Sequence, residues 1–192
     1  MARPRAARPV KLFAGLLSGD VDLLRRARQL LTRRLGPVDL ESDVWPFDQT
    51  DYYAAEMGPD LKRWFVSFAT LVPPDGLAEI KLETNAVEER IAGDCLLPDI
   101  SRPVNIDPGY LDLTKLVLAT TKDRGHRIYL GQGIYAEVTL QYAEGRWQTH
   151  PWTYPDYAQA ACHAFFVQVR ERFRAQRRAL ETAPGDGRQE AS

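Results

Sequence analysis

The chain has 192 residues, with 25 Lys and Arg against 26 Asp and Glu, so its formal net charge is −1. Apolar residues make up 44% and charged residues 27%, which is typical of a folded globular domain and excludes collagen-like, low-complexity and wholly disordered chains. A near-neutral total gives no general attraction to nucleic acid or anionic membranes. Charge nevertheless separates locally, because residues 1–34 carry nine basic and two acidic side chains while 38–61 carries seven acidic and no basic ones.

Cysteine content and hydropathy point to an intracellular chain. Cys95 and Cys162 have no metal-ligand spacing and are too few for a disulfide framework. The apolar patch 10–17 contains a lysine and lacks a clear cleavage site, and no stretch approaches the roughly 20 apolar residues that span a bilayer. We therefore expect a cytoplasmic protein with no membrane partner, whose single domain over 10–181 lies between a disordered basic tail (1–9) and a disordered tail (182–192).

The first half of the chain predicts two strand–helix units. An apolar run over 11–17 predicts a buried strand, and Asp20 then caps a helix that ends at Gly36-Pro37. Alternation over 38–44 and the β-branched and aromatic run 63–71 predict two strands. After the turn at 73–76, the spacing favours one helix over 77–92, with a solvated polar side that includes Lys81.

The second half predicts a hairpin between short connecting elements. The pattern predicts a loop over 98–106 that leads into a strand. Asp107-Pro108-Gly109 then predicts a turn, and 111–121 a short helix. The segments 127–130 and 134–142 form the strongest hairpin signal, 146–149 a returning strand, and Pro155 fits the first turn of a last helix. The order β-α-β-β-α-β, extended by a β-hairpin and a C-terminal helix, predicts an α+β fold with a ferredoxin-like split βαβ core.

Nucleotide-binding loops of the common kinds are absent from the sequence. There is no G-x-x-x-x-G-K-[ST] and no G-x-G-x-x-G that opens a helix. The segment 15–20 could present free N–H groups to an anion, but without a phosphate-binding lysine a plain strand-to-helix turn is favoured.

Two polar segments carry most of the candidate chemistry. Asn105 and Asp107 alternate with apolar residues, so their side-chain oxygens point to one side of a strand and could hold Mg²⁺ or a ribose hydroxyl. The alternative is an Asx-turn, in which Asp107 bonds the local backbone before Pro-Gly. The loop 120–127 gathers Lys122, His126 and Arg127 around one glycine, which suits a phosphate, or else is simply a solvated loop.

The hairpin strand and the aromatic segment that follows add further candidates. Glu137 lies on the polar face of 135–139 and could act as a base or a metal ligand. The alternative is that this face is exposed to solvent and Glu137 is an ordinary surface carboxylate. Aromatic residues crowd 147–157, where they either stack on a base or sugar or cap the core.

Several stretches resemble the prokaryotic family called domain of unknown function 4416. They are KLFAGLLS (11–18), YYAAEMG (52–58), LKRWFVSF (61–68), EIKLETN (79–85), RPVNIDPGYL (102–111), KLVLATTKDRGHRIYLGQGIYAEVTL (115–140) and PWTYPDY (151–157). The resemblance covers roughly 10–175 and implies little about activity. Some members are described as GTP-binding, but this sequence contains none of the usual GTPase motifs.

Three functional hypotheses remain open at this stage. The first is a protein that binds a phosphorylated ligand or nucleotide, and whether it is also an enzyme stays undecided. Asp107 and Glu137 would hold Mg²⁺, His126 and Glu137 would act as acid and base, and four side chains would bind the ligand: Asn105, Lys115, Lys122 and Arg127. The second is an RNA-binding or RNA-processing module, and the third is a non-catalytic interaction protein whose oligomeric state is unknown.

Overall fold

The computed structural model describes residues 3–50, 52–95, 97 and 100–182, so the tail predicted at 182–192 lies almost wholly outside the described residues. The strands are β1 (Val10–Ser18), β2 (Val38–Glu41), β3 (Trp45–Pro46), β4 (Lys62–Val72), β5 (Asn105–Leu111), β6 (Lys115–Thr120), β7 (Ile128–Gly131), β8 (Ile134–Ala143) and β9 (Arg146–Thr149). The helices are α1 (Val21–Leu35), α2 (Ala54–Met57), α3 (Leu77–Asp94) and α4 (Ala160–Thr182).

One antiparallel sheet joins all of these strands. Its order is β2-β4-β1-β5-β6-β8-β7, with β3 also paired to β4 and β9 to β8. Helices and a large antiparallel sheet confirm the α+β class, although the sheet is larger than predicted because β6 and β3 join it. None of the described helices combines the length and apolar character needed to cross a membrane.

Helices cover both faces of the sheet. On one face, α1 and α3 pack on Leu12, Leu16 and Val66. On the other, Phe166 and Phe173 of α4 pack on Phe13 and Phe65. We call this second side of the sheet the α4 face. The term includes residues of the sheet that lie beyond either end of the helix.

The first helix matches its prediction at both ends. The side chain of Asp20 accepts a hydrogen bond from the backbone N–H of Asp22, which satisfies one of the free amides of the first turn. The chain leaves the helix at Gly36 with φ of +98°, a value that favours glycine.

Three sequence-based element predictions were wrong. Asp107-Pro108-Gly109 is not a turn but the middle of β5, and the predicted helix 111–121 contains strand β6. The last helix begins at Ala160, five residues after Pro155. The apolar run of β6 is continuous rather than alternating because Leu116 and Leu118 face one core and Val117 and Ala119 another, so both sides of the strand are buried.

A local parting of two strands positions the site. The pairing of β5 with β6 is confined to Gly109–Leu111, although both strands continue beyond it. A Cβ at Gly109 would lie 2.4 Å from the Val117 carbonyl oxygen, so only glycine allows this close approach. Directly before it stands Pro108, which has no N–H to donate. The two strands are therefore separated on the N-terminal side of Gly109, over 105–108 of β5, and leave an opening in the sheet.

Candidate ligand-binding cleft

A cleft of about 370 Å³ occupies this opening. Its walls come from Phe47, Thr50, Tyr52 and Tyr53, from the loop 120–127 and from the segment 154–157, and its floor comes from β4 and β5. Six basic and three acidic side chains line it: Arg63, Lys81, Arg102, Lys122, Arg124 and Arg127 against Asp107, Glu137 and Asp156. Aromatic rings supply most of the apolar lining, from Phe47, Tyr52, Tyr53, Tyr154 and Tyr157.

Arg63 of β4 lies at the inner end of the cleft and is 2% exposed. Its Nη1 donates to Oδ2 of Asp107 over 3.3 Å, and its Nε lies 2.9 Å from Oδ2 of Asp156. The second contact is an ion pair without hydrogen-bond geometry, because neither atom has a hydrogen-bond partner among the described residues. Burial lowers the pKa of the Arg63 guanidinium, but the two carboxylates outweigh it and raise that pKa overall.

Asp156 differs from Asp107 in its surroundings. It is 2% exposed, and burial raises the pKa of its carboxyl even though the positive charge of Arg63 opposes that effect. The Asp107 side chain is 26% exposed and can therefore meet a ligand. One arginine thus holds one buried and one reachable carboxylate at the inner end.

A hydrogen-bonded relay orients Asp107. Arg102 donates to Oδ1 of Asn105, and Nδ2 of Asn105 donates to Oδ2 of Asp107 over 2.7 Å. Arg102 is held in turn by Glu88 of α3 at 3.0 Å. The predicted pairing of Asn105 with Asp107 is therefore present, but on a strand, so the alternative of an Asx-turn is excluded.

From the sequence it was undecided whether the side of β8 that carries Glu137 faces solvent. In the structure only 1% of the Glu137 side chain is exposed. Its Oε2 accepts from Nε of Arg127 over 2.8 Å and lies 3.2 Å from Nε2 of His126, and its Oε1 accepts from the Thr139 hydroxyl over 3.0 Å. Glu137 therefore anchors Arg127, whose Nη2 donates to the Tyr154 hydroxyl over 2.6 Å. Burial and the nearby Glu137 raise the pKa of Tyr154 to about 12.

The mouth of the cleft is cationic and aromatic. Lys122 is exposed and donates from Nζ to the Tyr52 hydroxyl over 2.6 Å. Arg124 is exposed beside it, and no carboxylate of the described residues lies within ion-pair distance of either cation. These two charges are thus available to a ligand.

Five of the seven residues singled out from the sequence meet in this cleft: Asn105, Asp107, Lys122, Arg127 and Glu137. His126 is not a lining residue but stands behind Glu137, stacked on the Trp152 ring at a centroid distance of 5.0 Å. Lys115 is elsewhere. It pairs with Asp112 at 2.7 Å beside a second cavity, so its predicted place among the ligand-binding residues finds no support in the fold.

Sequence reasoning missed Arg63, Arg102 and Asp156, and it left Tyr157 open as an aromatic residue that either stacks on a ligand or caps the core. An arginine inside the apolar run 63–71 was the available signal, because a cation in a buried strand needs a buried partner. Lys81, assigned to a solvated helix face, is 4% exposed and donates to the Ile106 carbonyl over 2.8 Å. It reaches the cleft through the opening between β5 and β6.

The side chains of the cleft give the predicted Mg²⁺ little to bind. In the described part of the chain, no group of three or more His, Cys, Asp and Glu is placed to hold a metal ion. Both oxygens of Glu137 and one of Asp107 already accept hydrogen bonds from neighbouring side chains. Magnesium binding therefore stays a prediction.

The comparisons with known proteins identify a family and nothing more specific. The family model described as Domain of unknown function (DUF4416) matches residues 8–173, a range that includes every residue lining the cleft. No curated protein and no solved structure matches the chain.

Proposed function

The chain belongs to the DUF4416 family, and on this footing we propose that its cleft binds a phosphorylated small molecule. The observation that carries the proposal is the pair of exposed cations, Lys122 and Arg124, at the mouth of a cleft lined by twice as many basic as acidic side chains. Arginine offers a planar set of donors to phosphate oxygens, and lysine acts as a point charge.

Size and lining agree with a ligand of this class. The volume of about 370 Å³ falls within the range of small-molecule pockets, roughly 300–1,000 Å³. The rings of Tyr52 and Tyr53 flank the mouth and offer an apolar surface to the uncharged part of a ligand. The proposal concerns binding, and the acid–base roles of His126 and Glu137 stay predictions.

Two features disfavour the RNA-binding alternative. The acidic segment 38–61 lines the cleft only through uncharged residues, Phe47, Thr50, Tyr52 and Tyr53, but its Asp48 is exposed next to Phe47 and would repel a nucleic-acid backbone that extends beyond the cleft. The arginines of α1 lie on the face of the sheet opposite α4, so they do not share one surface with the cleft aromatics.

The interaction alternative supposed that acidic residues of one copy meet basic residues of another. Within the chain, Arg28 of α1 already pairs with Glu41, and Lys11 with Asp39. Part of the acidic segment is therefore neutralised internally, which leaves less charge for association between copies.

We also propose that 10–111 forms a split βαβ unit of the ferredoxin-like kind. The order β2-β4-β1-β5, antiparallel throughout, supports this arrangement, as do α1 and α3 on one face. The remaining strands and α4 would then extend that unit and build the far wall of the cleft.

Calorimetric titration and thermal shift with phosphate compounds test the binding proposal. The compounds are inorganic phosphate, pyrophosphate, ribose 5-phosphate and nucleoside monophosphates, each with and without Mg²⁺. A ligand present at about 100 times its Kd should stabilise the fold by about 2.7 kcal/mol. The double variant Lys122→Ala with Arg124→Ala should lose this stabilisation.

The matched control is Arg33→Ala with Arg34→Ala, which removes two exposed cations from α1 without touching the cleft. It should bind like the unmodified protein. The proposal is wrong if no phosphate compound raises Tm, or if both double variants lose binding equally, because the effect would then be one of net charge.

A further inference from the structure

The inner end of the cleft contains a buried hydroxyl without a partner. Tyr157 is 1% exposed, and its Oη forms no hydrogen bond with the described residues. Burial raises the pKa of this hydroxyl well above its ordinary value, so it is protonated at neutral pH and can donate. Buried polar groups nearly always have partners, and an exception that lines a cavity marks a place for a ligand atom.

Two further polar atoms beside Tyr157 are in the same condition. Nε of Arg63 and Oδ2 of Asp156 lie 2.9 Å apart but have no hydrogen-bond partner in the described part of the chain. Both residues line the cleft. The inner end therefore contains a hydroxyl, a guanidinium N–H and a carboxylate oxygen whose hydrogen-bonding capacity is unused by the described residues.

The absence of a side chain at residue 15 lets two of these polar residues approach the backbone of β1. A Cβ at Gly15 would lie 3.1 Å from Oη of Tyr157 and 3.2 Å from Nη1 of Arg63. Both polar groups therefore pack against the bare backbone of β1, next to the unpaired atoms.

Charge separates the two ends of the cleft. At the inner end, Asp107 and Asp156 flank a single arginine. At the mouth, Lys122 and Arg124 form no ion pair with a carboxylate of the described residues, although Asp123 stands between them in the chain. An ionised phosphate only accepts hydrogen bonds and is repelled by carboxylates, so it suits the mouth. An alcohol both donates and accepts without charge, so it can donate to a carboxylate and accept from Tyr157 or Arg63.

We propose that the inner end is a subsite for alcohol groups, so that the ligand is a phosphorylated polyol with its phosphate at Lys122 and Arg124 and its hydroxyls at Asp107, Asp156 and Tyr157. The inference rests on the proposed function, since it takes the phosphate site as given. Sugar phosphates and nucleotides share this chemistry, and the aromatic rings at the mouth leave room for either.

The test uses ligand pairs that differ only in hydroxyls. Ribose 5-phosphate is compared with tetrahydrofurfuryl phosphate, and adenosine 5′-monophosphate with its 2′,3′-dideoxy analogue, by calorimetric titration of the full chain. The hydroxylated member of at least one pair should bind about tenfold more tightly or better, because a site built for a hydroxyl rejects the analogue that lacks it. The pair that shows the difference identifies the sugar phosphate or the nucleotide as the ligand class.

Variants assign the difference to the inner end. Tyr157→Phe should reduce the preference for the hydroxylated member by about tenfold and leave the affinity for the analogue unchanged. Tyr129→Phe, on the exposed strand β7, is the matched control and should change neither affinity. The comparison of ligands on the unmodified protein stays informative even if a variant is poorly folded.

The outcomes separate the two proposals. If phosphate compounds bind but both members of each pair bind equally, the alcohol subsite is wrong while the phosphate site stands. If the hydroxyl preference exists but Tyr157→Phe leaves it intact, the assignment to the inner end is wrong. If no phosphate compound binds at all, the proposed function fails and the subsite fails with it.

Discussion

Two buried cations on the α4 face, one at each end, show what distinguishes a structural polar network from a binding site. Lys11, which is fully buried, lies 2.5 Å from Oδ2 of Asp39 and donates to Oε1 of Gln176 over 2.9 Å. The other oxygen of Asp39 accepts from the Ser67 hydroxyl over 2.7 Å. Lys11 and Asp39 are therefore both hydrogen-bonded within the protein itself.

Arg63, at the other end, is buried almost as deeply but is not satisfied in the same way. Its Nε, Oδ2 of Asp156 and Oη of Tyr157 lack hydrogen-bond partners among the described residues, and all three residues line a cavity. The Lys11 end is covered by α4 through Gln176, whereas the Arg63 end lies where β5 and β6 part. A ligand site is therefore marked by buried polar atoms that lack hydrogen-bond partners beside open space, and not by buried charge itself.

The largest expected effect is on stability at the Lys11 end. Lys11→Met should lower the free energy of unfolding by about 3–5 kcal/mol, because it leaves the Asp39 carboxylate partly buried without its cation. Urea unfolding followed by circular dichroism measures this change. Arg28→Met is the matched control, because Glu41, its half-exposed partner, is also on β2 and that pair should be worth about 1 kcal/mol or less. Equal losses in the two variants would show that the Lys11 network is not structural.

A methyl group at residue 15 should disturb the Arg63 end. In Gly15→Ala the new Cβ would lie 2.9 Å from Cε1 of Phe65 and against both Tyr157 and Arg63. We expect a loss of about 1–3 kcal/mol in unfolding free energy from overpacking, together with weaker binding of phosphate compounds. Gly93→Ala in α3 meets nothing within 4 Å and should instead stabilise the protein by up to about 1 kcal/mol. Unchanged stability and binding in Gly15→Ala would mean that the inner end is looser than its contacts indicate.

Removing one hydroxyl from each end should have effects of different sign. Ser67→Ala deletes a donor to Asp39 and should lower the unfolding free energy by about 1–2 kcal/mol. Tyr157→Phe deletes an unpaired hydroxyl and should leave the unfolding free energy unchanged or raise it by up to about 1 kcal/mol. Guanidinium unfolding of both variants measures the contrast. Similar losses in the two variants would show that Tyr157 has a partner within the fold.

The smallest expected effect is a change in the pH dependence of stability. Because burial raises the pKa of Asp156, the folded state keeps a proton that the unfolded state loses above about pH 4. The unfolding free energy therefore falls as the pH rises from about 4 through the raised pKa, and then stays level. Asp156→Asn removes this contribution, so its stability relative to the unmodified protein should rise with pH across the same window. Urea unfolding at several pH values measures the difference, and a constant difference would contradict the raised pKa.

The sequence predicted much of the fold because local signals were strong there. Asp20 and Gly36-Pro37 marked the ends of α1, and alternation marked β8. The sequence-based prediction of a turn at 107–109 was wrong, because this proline and glycine belong to strand β5. Gly109 is required by the close approach of Val117 rather than by a turn, and that approach depends on residues distant in sequence.

Candidate site residues were predictable where polar residues cluster in sequence. Asn105, Asp107, Lys122, Arg127 and Glu137 were found because each lies in a dense polar segment. Arg63 and Asp156 were not found, because they lie in an apolar strand and an aromatic-rich segment, and Tyr157 was left open between stacking on a ligand and capping the core. Only the packing of the segment before α4 against β4 brings these three together.

By itself, the sequence determined the class of the fold, most element boundaries, the family resemblance and the segments that carry polar chemistry, because these depend on residue type and near-neighbour spacing. The tertiary structure alone decided which charges meet, which are satisfied and where the sheet opens. Those outcomes depend on contacts between residues far apart in the chain, such as Lys11 with Gln176 and Arg63 with Asp107 and Asp156. In the sequence, Lys11 and Arg63 are both cations within a strand and cannot be told apart. Only their surroundings in the fold make the Lys11 end a hydrogen-bonded structural network and the Arg63 end an open cleft.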